Sequence, residues 1–70
     1  MNIKKIREKA GLTQEQMAER AGITTNEYAK RERGDSKLRE SHIRLFCMIA
    51  YLEAKGLEDD FNQFILENYL

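Results

Sequence analysis

Proline is absent from this chain, glycine occurs four times, cysteine once, and the positive and negative side chains cancel. The lack of proline and the scarcity of glycine favour helices over strands and turns. One cysteine, Cys47, allows neither an intrachain disulfide nor a multi-thiolate metal site; it suits a reducing compartment and is expected to pack in the interior. Twelve Lys and Arg against twelve Asp and Glu remove bulk electrostatics as an argument for a polyanionic partner, so any nucleic-acid binding must rest on local arrangement. The longest strongly apolar stretch, Leu45 to Leu52, falls far short of the roughly 20 residues of a membrane span. The segment from Ile3 to Lys9 interleaves charge with apolar residues, unlike the unbroken apolar region of a signal peptide. A cytoplasmic protein without a membrane partner is expected.

What the chain does contain is compatible with one folded unit. Its 70 residues, 41% apolar and 34% charged, suit a single compact domain over 1–70 and argue against intrinsic disorder. Each glycine ends a helical pattern: Gly11 after Lys9 and Ala10, Gly22 after Arg20 and Ala21, Gly34 after Arg33, Gly56 after Lys55. Four stops predict five helices, and Leu12, Ile23 and Leu57 supply the apolar residue that accompanies a Schellman cap. Start signals agree. Thr13-Gln14-Glu15-Gln16 and Thr24-Thr25-Asn26-Glu27 both read as capping boxes, Asn2 can cap the first helix, and Ser41 or a residue just before it can begin the fourth. Asp60 is expected to start the fifth, aided by Asp59.

Apolar spacing predicts the buried faces. Ile3, Ile6 and Ala10 form one narrow stripe, and Met17, Ala18 and Ala21 another. The fourth helix is apolar all round, from Ile43 to Leu52, and must be central or shared between subunits. The segment 57–70 places Phe61, Phe64, Ile65 and Tyr69 on one aromatic-rich face. That helix is expected to close the core, to contribute to dimerisation, or both, with Met48, Tyr51, Leu52, Phe61, Phe64, Ile65 and Tyr69 as candidate dimer contacts.

The informative geometry is a pair of short helices, Gln14 to Ala21 and Thr25 to Arg33, separated only by Gly22, Ile23 and Thr24. Such a connection, with glycine first and small Ala18 allowing close approach, is what a helix-turn-helix needs. The run Leu12-Thr13-Gln14-Glu15-Gln16-Met17-Ala18-Glu19-Arg20-Ala21-Gly22-Ile23-Thr24, followed by Tyr28 and Glu32-Arg33-Gly34, resembles the XRE-type helix-turn-helix family, which includes Cro and the lambda repressor. The resemblance extends over about Ile3 to Leu57. It implies an all-α, lambda-repressor-like DNA-binding domain with the helix-turn-helix at helices 2 and 3, usually dimeric and usually a repressor. It makes the helix from Thr25 to Arg33 the recognition helix and assigns Gln14 to a phosphate.

A recognition helix presents its N-terminal residues to base edges in the major groove. Thr25, Asn26, Ala29 and Lys30 are the expected base contacts: Asn26 can bond adenine, Lys30 guanine, and Thr25 or Ala29 can offer a methyl group to thymine. Gln14, Thr24, Arg31, Arg33, Lys37 and Arg39 are the expected phosphate contacts. Arg31 and Tyr28 depart from the family pattern, which has aliphatic residues or Trp at the first position and Val or Ile at the second. Arg31 is expected to stack across Tyr28 and reach a phosphate. Charge is also polarised along the chain. Residues 1–40 carry ten basic and seven acidic side chains, residues 41–70 two basic and five acidic.

Catalytic readings have little support. His42 and Cys47 lie five positions apart, about 140° around one helix, too far round to act as base and nucleophile there. Asp59 and Asp60 more simply serve a helix N-terminus than a cation. No metal, cofactor or small-molecule effector is expected, and the chain is not expected to be an enzyme. The function expected is a homodimeric repressor of double-stranded DNA, reading an inverted-repeat operator, of phage or antitoxin-like type. The alternative is a protein-interaction module that binds another protein through helices 4 and 5.

Overall fold

Asn2 opens the first helix, its side-chain oxygen accepting from the Lys5 amide at 3.2 Å, as a short polar N-cap does. The computed structural model describes residues 2–69; Met1 and Leu70, the ends of the expected domain, lie outside the described residues. Five helices follow: α1 (Ile3–Lys9), α2 (Gln14–Ala21), α3 (Thr25–Arg33), α4 (Glu40–Ala54) and α5 (Glu58–Tyr69). Among the described residues there is no strand, so the all-α reading holds.

The caps explain the boundaries. For α2 the box is reciprocal: the Gln16 amide donates to the Thr13 hydroxyl at 3.1 Å, and the Thr13 amide donates to the Gln16 side-chain oxygen at 2.9 Å. For α3 only half of the box forms. The Glu27 amide donates to the Thr24 hydroxyl at 3.1 Å, while the Glu27 carboxylate accepts from that same hydroxyl, also at 3.1 Å, instead of from the Thr24 amide. Helix α5 starts at Glu58, earlier than the Asp60 start expected, so Glu58, Asp59 and Asp60 all occupy its first turn. Three carboxylates there complement the positive end of the helix dipole.

The turn between α2 and α3 depends on one backbone conformation. Gly22 sits at φ 73°, a left-handed position that costs an L-residue about 1–2 kcal/mol. It lets the Ile23 amide reach back to the Ala18 carbonyl at 3.1 Å, and Ile23 then packs on the edge of the core.

That core consists of Ile3, Leu12, Met17, Ala18, Tyr28, Phe46, Ile49 and Ala50. Helix α4 is the hub, packing against α1, α2 and α5, while α3 packs on α2. Its apolar circumference is divided: Phe46, Ile49 and Ala50 are buried, whereas Leu45, Met48 and Tyr51 are exposed. Cys47 is half-buried and lies outside the fully buried interior. Helix α5 buries no residue. The inner side of α4 is already covered by the N-terminal helices; α5 packs on α4 and reaches α2 through Glu58 and Arg20 at 3.7 Å, leaving Phe64 58% and Tyr69 80% exposed.

Candidate nucleic-acid interface

Helix α3 can present one side outward only if its other side is anchored, and two devices anchor it. The first is apolar. Tyr28 is fully buried, its ring edge-on to Phe46 with centroids 5.0 Å apart and planes at 89°, an arrangement aromatic pairs favour. The second is a buried ion pair. Arg7 of α1 donates from Nε to Glu32 Oε2 at 2.7 Å and from Nη2 to Oε1 at 3.3 Å. Arg7 Nη1 also donates to the Leu12 carbonyl at 2.8 Å, and Gln14 Nε2 donates to Glu32 Oε1 at 3.0 Å. One carboxylate of α3 is thereby tied to α1 and α2.

The Arg7 and Glu32 side chains are only 10% and 4% exposed, so neither charge has water as an alternative partner. Burial works against the Glu32 anion, but Arg7 foremost, then the nearby Tyr28 hydroxyl and Gln14, hold its carboxyl below the usual range. The hydrogen bond to Glu32 strengthens the proton affinity of Arg7 against its own desolvation. Burial foremost, and then the neighbouring carboxylate, push the Tyr28 phenol well above its ordinary value, so it is neutral throughout the physiological range. A carboxyl depressed in the folded state contributes stability above its unfolded pKa and loses it as pH falls through the folded value. The thermal midpoint is therefore expected to fall on acidification below about pH 4.5, the unperturbed carboxyl value, and Glu32→Gln should flatten that acid limb. Calorimetry between pH 3 and 7 would check it.

The outward side of α3 carries Thr25, Asn26, Glu27 and Lys30, all exposed. Three of the four expected base contacts are thus accessible together. Ala29 is the least exposed of the four, at 9%, beside Tyr28 on the helix. The Thr24 hydroxyl donates to Glu27 Oε1 at 3.1 Å, which leaves its backbone amide as the donor it can offer a phosphate. The Arg31 stack on Tyr28 does not form, because the Tyr28 ring turns inward onto Phe46; Arg31 Nη1 instead donates to the Glu27 carbonyl at 3.3 Å.

Among the remaining phosphate candidates, Gln14 has one amide hydrogen on Glu32 and a second still to give. Arg33 is paired with Asp35 at 2.9 Å, but both side chains are more than half exposed, and such surface pairs are worth at most about 1 kcal/mol. Lys37 and Arg39 are exposed. Neither Arg7 nor Glu32 is among the site residues the sequence points to, although Glu32 belongs to the Glu32-Arg33-Gly34 run that carries the family resemblance. Glu27 is not among them either; its place on the outward face follows from the helical period.

A helix-turn-helix with an anchored inner face and a polar outer face on its second helix defines the class of DNA-binding regulators. Residues 3–47 match the Helix-turn-helix family, and the chain belongs to the XRE-type helix-turn-helix family. That family is a regulatory, DNA-binding one and not typically enzymatic. No curated protein and no solved structure matches the chain. Helix α5 and the C-terminal end of α4 lie beyond the matched segment. No helix among the described residues is long and apolar enough to cross a membrane.

Proposed function

We propose that the chain is a transcriptional repressor that binds an inverted-repeat operator as a homodimer. The observation that carries this reading is the exposure of Thr25, Asn26 and Lys30 together on α3, while Tyr28 and Glu32 fasten its opposite side. Asn26 reads adenine through N6 and N7, Lys30 reads guanine through O6 and N7, and the Thr25 methyl meets thymine. Gln14, Arg31, Arg33, Lys37 and Arg39 hold phosphates and set the register. Because the chain has no net charge, non-specific attraction is weak and a single copy binds poorly. Two copies related by a two-fold axis place their recognition helices about 34 Å apart, one turn of DNA. The exposed Met48, Tyr51, Phe61, Phe64, Ile65 and Tyr69, with half-buried Leu52 beside them, supply the contact between copies. An operator so occupied is closed to polymerase, and control is by protein concentration.

The test is selection of duplexes from a random pool, followed by titration at two salt concentrations. Asn26→Ala and Lys30→Ala are expected to relax preference at one position each, by about 1–3 kcal/mol. Lys37→Ala should weaken all sequences alike and reduce the salt slope by about one. Light scattering should give a dimer for the wild type and a monomer for Phe64→Asp. Those exposed side chains of α4 and α5 also favour a second reading, a module that docks another protein. It prevails if the wild type selects no duplex yet retains a protein partner that Phe64→Asp releases.

A further inference from the structure

Glu27 is an acid on the face offered to a polyanion, and that placement demands a reason. It lies about 60° around α3 from Lys30 by the helical period, in the middle of the outward side, and both residues are exposed. Among the described residues Glu27 forms no ion pair: the four present join Arg7 to Glu32, Arg20 to Glu53 and to Glu58, and Arg33 to Asp35. Its side chain is nevertheless held. Oε1 accepts from the Thr24 hydroxyl at 3.1 Å, and that hydroxyl accepts in turn from the Glu27 amide at 3.1 Å. Three donor–acceptor groups within one turn thus fix a carboxylate whose Oε2 is left to accept from elsewhere.

The positive end of the α3 dipole favours an acid in this first turn, but it does not use Oε2, which stays directed to the outward side. The cap rests on the Thr24 hydroxyl and the Glu27 backbone amide, both independent of the side chain's charge. A carboxylate facing phosphates is repelled by them, unless a base edge supplies a donor. In the major groove, guanine offers only acceptors, thymine an acceptor and a methyl group, and adenine an acceptor beside its amino group. Cytosine alone offers a donor, its N4 amino group, without an acceptor of its own.

We infer that Glu27 is a specificity-determining residue that accepts from cytosine N4 at one fixed position in each half-site and rejects guanine and thymine there by repulsion. The inference rests on the proposed reading of α3 as the base-contacting helix. Lys30, beside it on the same face, then takes a guanine in the adjoining part of the major groove. The two opposite charges recognise a C·G step that neither could specify alone.

The experiment uses the full chain and duplexes selected by the wild type, with each position of the half-site changed in turn to all four bases. The wild type is expected to prefer cytosine at one position by about five- to 150-fold. Glu27→Ala should lose that preference while keeping those at the other positions. Glu27→Gln, which can still accept from Thr24, should shift it from cytosine toward adenine, because an amide pairs with N6 and N7. Circular dichroism is expected to show both variants as folded as the wild type, since the side chain is exposed. Wild-type selectivity with unchanged base preferences in both variants would overturn the role of Glu27 and leave the DNA reading intact. A folded wild type without any duplex preference would overturn the DNA reading itself, and this inference with it.

Discussion

Glu32→Ala is expected to lower the stability of the protein by about 3–5 kcal/mol, among the largest losses any single substitution can cause here. The substitution strands Arg7 as a buried cation whose side chain is 10% exposed, and breaking a buried pair from one side costs about 3–5 kcal/mol. A chain of 70 residues has a total stability of roughly 4–10 kcal/mol, so the loss removes between about a third and all of it. Arg7→Ala should do comparable damage by stranding Glu32 and freeing the Leu12 carbonyl. The paired replacement Arg7→Met with Glu32→Leu removes both charges at once and should recover most of the stability, because desolvation of the ions goes with them. Urea unfolding followed by circular dichroism measures all three. If Glu32→Ala shifts stability by less than about 1 kcal/mol, the pair is not the anchor of α3 described above. The double variant carries a second reading: without the tie through Gln14, α3 keeps its fold but loses part of its fixed orientation, so DNA affinity should fall even where stability is restored.

The other large effect is expected at Tyr28. Tyr28→Ala empties a fully buried site and removes the edge-on contact with Phe46, at a cost of about 3–5 kcal/mol by analogy with other buried aromatic truncations. Tyr28→Phe should stay within about 1 kcal/mol of the wild type. Its phenolic oxygen is buried with no partner at good hydrogen-bond geometry among the described residues, and what it gives up is only its weaker interaction with the nearby Glu32 carboxylate, offset by removal of a desolvated polar atom. The contrast separates packing from polarity: a large loss in Tyr28→Phe would mean that the hydroxyl, and not the ring, holds α3 to the rest of the molecule. Thermal unfolding of the two variants side by side checks it.

Local signals carried the secondary structure well. Asn2, Thr13 and Thr24 cap where their side chains predict, and Gly22 and Gly34 end their helices in the left-handed conformation. Short-range chemistry decides such features, and it is written within four or five residues. The site was legible to the extent that helical periodicity governs it, which is why Asn26 and Lys30 share an exposed face; Thr25, about 140° from Lys30 by the same period, is exposed because it stands at the open N-terminal end of α3. Failures arose where a distant residue decides the outcome. Arg7 and Glu32 lie 25 positions apart, and nothing near either announces the other. Tyr28 was paired with its neighbour Arg31 because they share a helix, yet Phe46 from α4 claimed the ring. Ala29, grouped with Thr25, Asn26 and Lys30 by its nearness to them, is the least exposed of the four. The start of α5 was misjudged for a different reason: three successive acids give equivalent N-terminal signals, and the earliest prevails.

The absence of any buried residue in α5 separates the demands on the two ends of the chain. The core contains no side chain beyond Ala50, and the polar ties from α2 to the C-terminal region run through Arg20 to Glu53 at 2.8 Å and to Glu58 at 3.7 Å. Substitutions on the last helix can therefore accumulate without disturbing the half that faces the duplex. The packing that positions the recognition helix and the surface that α5 offers can change independently in sequence.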